Sequence, residues 1–314
     1  MPVFFNGRLL ITPQVMSIVD DSAMVNRNLS VGNVVAIIGR SVGGEPKVPI
    51  RLRSPSQAKQ VLVDGELLKA VEKAFAPSTA TSGPSSVIVM RVNPATQAAL
   101  TLLDAVAADS INLKSTDYGL YTSQIKAKVE TGTNKGKKLT TQIGEDYYFK
   151  DDVARDAFTV QYTGAQATAT MTVNNTQVIL YAPAGTPVAT IDLNVYNTVQ
   201  KLVGRINTVA DFGATVSTGS ANTAALNGLD GVTAQDVKTA LYTETANLQA
   251  IIDWFNGVGE GYITATRPAA ATKVPVNIPY TYLAGGSDGN VTNQDWADCF
   301  TALQGVDVQW VVPG

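Results

Sequence analysis

The chain has 314 residues, 45% of them hydrophobic and only 16% charged, with a formal net charge of −3. It contains no histidine and one cysteine, Cys299, which excludes Ser-His-Asp and Cys-His nucleophile systems and the ordinary Cys/His zinc sites. Scattered Lys and Arg exclude the basic stripe that phosphate neutralisation requires, so nucleic acid is not an expected partner, and the low charge leaves neutral surface for protein contacts.

The length suits at least two hydrophobic cores. The first residues, Met1-Pro2-Val3-Phe4-Phe5-Asn6-Gly7-Arg8, lack the basic start of a signal peptide. The longest apolar run near the start, residues 34–38, is far short of the roughly 20 residues that cross a membrane, so no membrane insertion is expected. Apolar clusters at 3–5, 9–11 and 15–19 alternate with Pro2, Pro13 and polar breaks without helical spacing, which predicts an extended arm over 1–30. Asn6-Gly7 also suits a two-residue hairpin turn, and either form needs a partner to dock on.

Residues 31–115 read as the first part of an α/β core domain. An apolar strand at 34–38 leads into the loop Gly39-Arg40-Ser41-Val42-Gly43-Gly44-Glu45-Pro46. A helix is announced by Ser54 as N-cap, Pro55 at its first position and Gln57 three residues after the cap. Helical spacing of Ala58, Val61 and Leu62 breaks at Asp64-Gly65, then resumes at Leu67, Leu68, Val71, Ala74 and Phe75, so two short helices are expected. A Ser/Thr/Gly/Pro-rich connector precedes the strand at 87–92.

The composition then shifts to Thr, Ala, Asn, Tyr and Gly, and residues 116–230 read as a β-rich inserted domain. Alternating strands are expected at 124–130, 158–162, 167–173 and 177–181, with one helix carrying Val195, Val199, Leu202, Val203 and Ile206. Residues 231–314 read as the return to the α/β core, incomplete at its C-terminus. Thr233 and Asp236 suggest a capped helix running through Val237, Leu241, Leu248, Ile251, Ile252 and Phe255. A strand at 262–266 follows, and a second capped helix begins at Thr292 with Asp295. Its buried face is expected to be Trp296, Cys299, Phe300 and Leu303, followed by a buried strand at 306–312. The stretches 226–236 and 283–295 echo each other as loops leading into helices, which shared turn and cap chemistry explains more cheaply than duplication. The fold class is therefore mixed α+β and α/β: a discontinuous α/β core interrupted by a β-rich domain, with an N-terminal arm.

No motif supplies chemistry. The loop at 39–46 follows a strand as a phosphate-binding loop does, but Glu45 and Pro46 stand where Lys and Ser or Thr are needed. Asp288 and Asn290 could begin a calcium loop, yet its obligatory Gly and terminal Glu would fall on Asn293 and Cys299, so a turn is expected. The adjacent acids Asp20-Asp21, Glu145-Asp146 and Asp151-Asp152 read as solvated loops, not as a carboxylate pair facing across a cleft. The triplet Tyr147-Tyr148-Phe149 could stack on sugar or bases, and reads more readily as core or interface. No catalytic, cofactor or metal residue is assigned, and the chain is not expected to be an enzyme.

The strand and loop at 34–46, the segment 54–75, the strand 87–92, and Leu283-Ala284-Gly285-Gly286-Ser287-Asp288-Gly289 leading through Trp296 to 306–308 together resemble contractile tail sheath proteins of bacteriophages. The resemblance extends to Asp117-Tyr118-Gly119 and to 125–132 and 158–164 in the insertion. It marks Gly285, Gly286, Asp288, Gly289 and Trp296 as a structural motif. It also implies an assembly arm of Pro2, Val3, Phe4, Phe5, Leu9, Leu10, Ile11, Val15 and Ile18 that adds strands to neighbouring subunits. By the same resemblance the partners are copies of the chain in hexameric rings and a helical sheath, a tail tube, and baseplate and terminator proteins. The location implied is the virion tail, after assembly in the host cytoplasm, and sheath proteins normally continue past the strand that ends here. A surface adhesin or receptor-binding module is the alternative, and a carboxylate-based glycan hydrolase a more remote one.

Overall fold

The computed structural model describes residues 3–5, 8–10, 34–78, 83–259 and 261–313. At the start, β1 (Val3–Phe5) and β2 (Arg8–Leu10) pair antiparallel with Phe5 opposite Arg8. These six residues therefore form a short hairpin pair and not one extended stretch. Pro2, Ile11, Val15, Ile18 and Asp20-Asp21 lie outside the described residues.

An α/β layer is built from both ends of the described chain. The strands β3 (Val34–Gly39), β5 (Ser86–Arg91) and β20 (Trp310–Pro313) run parallel, with β4 (Ile50–Leu52) antiparallel on β5, in the order β20-β3-β5-β4. The helices α1 (Pro55–Leu62) and α2 (Glu66–Phe75) cover one face, packing on Ile37, Val87 and Val89. On the other face α5 (Asn293–Leu303) packs through Cys299 and Leu303 on Ala36, Ile38, Ile88 and Met90. Burial on both faces is why β3 and β5 read as unbroken apolar runs and not as alternating ones.

The local signals behave as their chemistry requires. The Ser54 hydroxyl accepts the Gln57 amide at 3.3 Å, and Thr292 with Asp295 forms a full capping box. Gly65, at φ +117°, separates the first two helices where a Cβ would lie 2.9 Å from the Ser41 Cα. Two expectations are corrected. Phe300 points to solvent, and the last strand is shorter than 306–312 and lies at the sheet edge, with Trp310 63% exposed.

A middle β unit is threaded between the two halves of that layer. One sheet has the order β10-β9-β8-β19, comprising β8 (Lys126–Thr131), β9 (Lys137–Ile143), β10 (Asp146–Val153) and β19 (Ile278–Tyr282). The other is β18-β7-β6, comprising β6 (Ala99–Leu103), β7 (Asp109–Ser115) and β18 (Ile263–Thr266). Their shared core includes Leu102, Ile111, Leu113, Val129 and Leu139, closed by Leu248, Ile251 and Phe255 of α4 (Asn247–Gly257). Residues 99–115, expected in the α/β part, belong to this core.

An outer β unit is threaded in turn through the middle one. It holds the sheet β15-β11-β17, from β11 (Asp156–Tyr162), β15 (Phe212–Val216) and β17 (Tyr242–Thr245). A second sheet, β14-β13-β12-β16, is made of β12 (Thr170–Val173), β13 (Gln177–Tyr181), β14 (Pro187–Asp192) and β16 (Val232–Asp236). The helix α3 (Val199–Ile206) completes the core through Val199, Leu202, Val203 and Ile206, while Val195 precedes it and is exposed. Residues 116–230, expected as one insertion, contribute to two separate cores.

The expected helix from Thr233 is corrected for a definite reason. The Asp236 carboxylate accepts the amides of Lys238 and Thr239 at 2.7 and 3.2 Å, closing a turn after a strand. A turn and a helix N-terminus use the same side-chain acceptor, so the residue types alone do not separate them. The echo between 226–236 and 283–295 fails with it, since only the second leads into a helix.

Candidate functional site

The glycine-rich segments converge on one joint between the α/β layer and the middle unit. At its centre is Arg91, the last residue of β5, 1% exposed. One guanidinium nitrogen, Nη1, donates to the carbonyls of Gly44 at 3.0 Å and Tyr118 at 2.8 Å, while Nη2 pairs with Asp288 Oδ1 at 2.9 Å. Burial pulls the Arg91 pKa down, opposed by the charges of Asp288 and Asp117. Beside it, Asn93 Nδ2 donates to the carbonyls of Ser41 and Asp288 at 3.2 and 3.0 Å.

Three loops meet here. The Asp288 carboxylate also accepts the Leu120 amide at 3.1 Å, and Asp117 accepts the amides of Gly44 and Tyr118, both at 2.8 Å. The Tyr121 hydroxyl donates to Asp117, and burial followed by that contact raises the phenol's pKa. Close approach fixes the glycines: a Cβ on Gly119, at φ +124°, would lie 2.3 Å from the Val42 carbonyl oxygen. A Cβ on Gly286 would lie 2.6 Å from Thr122 Oγ1, and one on Gly289 2.5 Å from the Pro94 carbonyl oxygen. The motif residues Gly285, Gly286, Asp288 and Gly289 thus gather at the joint, whereas Trp296 packs into the core beneath α5.

The same geometry answers the two motif temptations. In loop 39–46 the four central amides are committed within the protein and cannot cradle a phosphate: Val42 and Gly43 donate to the carbonyls of Asp64 and Leu62, Gly44 to Asp117 and Ser41 to Asn93. Asp288, the first calcium candidate, is committed to Arg91 and Leu120. Among the described residues no cluster of three or more His, Cys, Asp or Glu could hold a metal. Asp151 and Asp152 accept amides of the 133–135 turn at 2.8 to 3.1 Å; the Thr133 hydroxyl and then its amide lower the Asp151 pKa, and the Asn134 amide and then its side chain lower that of Asp152. Cys299 is buried, which pushes its thiol up to about 11 and away from thiolate chemistry.

A second ion-paired latch fastens α5. The Lys47 ammonium lies 2.8 Å from Asp295 and 2.7 Å from Asp298, and the Lys47 contact, with the Thr292 hydrogen bonds, holds the Asp295 carboxyl near 2. The sequence reading singles out none of Arg91, Asn93 and Lys47, and gives Asp117 only within the resemblance. One signal was available for Arg91: a lone charge in the apolar run Val-Ile-Val-Met-Arg-Val marks a buried cation that must be paired.

No family model matches the chain. A protein of Enterococcus phage phiEF24C whose name places it among tail sheath proteins is 28% identical over 312 residues, covering 94% of this chain and 53% of that protein. The tail sheath protein of Bacillus phage SP01 is 27% identical over 312 residues, covering 94% and 52%. That of Staphylococcus phage Twort is 25% identical over 245 residues, covering 74% and 40%. The chain spans about half the length of the first two relatives. Among solved structures, a sheath tail protein of Listeria innocua aligns at a TM-score of 0.41 with 14% identity, covering 88% of this chain and 39% of that one. One of Desulfitobacterium hafniense aligns at 0.40 with 12% identity, covering 89% and 41%. The chain is thus similar along nearly its whole length to phage tail sheath proteins, which are structural proteins and not enzymes.

Proposed function

We propose, from that likeness to phage tail sheath proteins, that this chain is a sheath subunit of a contractile virion tail. The observation that carries the reading is the match over 94% of the chain to proteins named for that role. Copies assemble as hexameric rings around a tail tube, stack as a helical sheath between baseplate and terminator, and shorten to drive the tube through the host envelope. Assembly takes place in the host cytoplasm. The N-terminal segment, from Pro2 through Ile18, links neighbours as added strands.

The joint supports this reading physically. A subunit that rotates between two lattices must carry its domains as one body, and Arg91, Asn93 and Asp288 stitch the α/β layer to the middle unit through buried, paired contacts. No bound fuel is required. A preference of about 1 kcal/mol per subunit for the contracted contacts, summed over many copies, becomes a large drive.

Negative-stain microscopy with sedimentation on the complete gene product that carries this chain tests the proposal. Rings or tubes are expected, lost when residues 2–18 are deleted. A monomer at high concentration, with and without a preformed tail tube, would overturn it.

A further inference from the structure

The sheet β10-β9-β8-β19 has one face in the core and one in solvent. Its inner face supplies Ala127, Val129 and Leu139, all buried. Alternation then turns Tyr147 and Phe149 of β10, Lys126 and Lys128 of β8, and Tyr282 of β19 outward. The registers place Tyr147, Gln142, Lys126 and Tyr282 in a single row across all four strands, with Phe149, Thr140 and Lys128 in the row beside it. Tyr280 completes the second row at the β19 bulge.

The rings are open to solvent: Tyr147 is 49% exposed, Phe149 60%, Tyr280 42% and Tyr282 57%. They also touch one another through the lysines. Lys126 Nζ sits 5.1 Å from the Tyr280 ring and 5.7 Å from the Tyr282 ring, and Lys128 Nζ 5.4 Å from Tyr280. Tyr147 and Phe149 lie with centroids 5.6 Å apart at the opposite edge. Four strands at about 4.8 Å spacing make a platform about 14 Å across.

The chemistry of this face selects its occupant. Its backbone groups are already used in the sheet ladder, so the face offers an added peptide strand no hydrogen bonds. What it offers is exposed aromatic rings, Tyr147 and Phe149 tilted 39° to each other, with phenol hydroxyls and ammonium groups. Such surfaces stack on the C–H faces of sugar rings. Lys128 is paired with Glu130 at 2.8 Å, while Lys126, held against the Tyr280 and Tyr282 rings, has no carboxylate partner among the described residues and leaves one uncompensated positive charge on the face of a chain of net charge −3. We propose that this face binds a linear anionic polysaccharide, its rings stacked on the tyrosines and its carboxylates met by Lys126 and Lys128. The inference does not depend on sheath assembly.

Native affinity electrophoresis of the whole chain through gels containing polygalacturonate or neutral dextran tests it. Retardation is expected in polygalacturonate and not in dextran. The Tyr147→Ala/Tyr282→Ala variant should bind about tenfold more weakly, and Lys126→Gln/Lys128→Gln should bind weakly and lose the salt dependence that screening imposes. Tyr280→Phe, which keeps the ring, should still bind. Absence of retardation overturns the proposal. So does retardation that the aromatic variant leaves unchanged, which is plain ion exchange, and so does a changed sedimentation coefficient in that variant, which marks a contact between copies. If the double tyrosine variant fails to fold, the single Tyr282→Ala takes its place under the same criterion.

Discussion

The chain crosses between units at two places, and the two crossings are held by opposite electrostatics. At the inner joint the buried Arg91 guanidinium meets Asp288 and the carbonyls of Gly44 and Tyr118 through both terminal nitrogens, with its Nε alone left unbonded. At the outer seam, where residues 155–156 and 245–246 run side by side, Asp230 caps α4 by accepting the amides of Asn247 and Leu248 at 2.8 and 3.0 Å. Arg267 there binds the carbonyls of Ala271 and Leu229. Yet Glu244, fully buried on β17 beside them, has neither carboxyl oxygen hydrogen-bonded. A paired crossing holds regardless of modest pH change, whereas an unpaired buried carboxyl ties the outer unit's attachment to its own proton.

The largest effect should come from breaking the paired crossing. Arg91→Met leaves Asp288 and two loop carbonyls without their donor, and urea unfolding should show a loss of about 3 kcal/mol. Arg91→Lys should recover only part of it, because an ammonium cannot span the carbonyls and the carboxylate as the planar fork does. An unchanged midpoint in both variants would remove the joint from the account of stability.

The unpaired crossing should respond to pH instead. Burial, then the nearby Asp230 charge, raises the Glu244 pKa from 4.5 to about 8, with Tyr242 and Lys273 also facing it. The folded chain then keeps a proton that the unfolded chain releases. Its stability therefore falls as pH rises from about 4.5 to about 8, by on the order of a few kcal/mol, and levels off above. Glu244→Gln should flatten that slope and be the more stable protein above pH 8. A parallel pH profile in the two proteins would show that the carboxyl is not what the seam responds to.

These two crossings differ equally in how far the sequence reveals them. The α/β layer was legible because its signals are local: apolar runs at 34–38 and 87–92, Ser54-Pro55, and the Thr292–Asp295 box all act within a few residues. The inner joint was half legible, as its glycines stand in sequence but the Arg91–Asp288 pair at its centre spans 197 residues. The outer seam was illegible. The cap of α4 comes from Asp230, 17 residues upstream, and the nearer Asp236 that resembles a cap closes a turn. Glu244 sits in Tyr-Thr-Glu-Thr, which reads as part of the helix expected from Thr233, whereas it lies on β17 and packing on β11 turns it inward.

Within the joint, two glycines separate backbone strain from crowding. Gly285 and Gly289 both hold positive φ, +88° and +65°, but a Cβ would meet nothing within 4 Å at Gly285 and the Pro94 carbonyl oxygen at 2.5 Å at Gly289. Gly285→Ala should cost about 1 kcal/mol from conformation alone, and Gly289→Ala about 2 kcal/mol because the loop must also shift. Equal losses in thermal unfolding would mean that the 285–290 turn is free to move and does not hold the units together.

The smallest effect completes the contrast by reversing its sign. Asp295 is held near 2 by Lys47 and by the Thr292 hydrogen bonds, so here the unfolded carboxyl binds a proton more readily than the folded one. The contribution is present above the ordinary value of 3.8 and is lost as pH falls toward 2. The α5 latch should therefore loosen in acid, while the outer seam loosens toward alkaline pH. Trp296 lies on α5 and Trp254 on α4, so a single-tryptophan form of each reports one attachment. Trp296 fluorescence should shift at lower urea below pH 3 and Trp254 fluorescence at lower urea above pH 8, with Lys47→Met abolishing only the first response. Coincident shifts of both tryptophans at every pH would instead make the nested units one cooperative block, and the two crossings would then share a single stability.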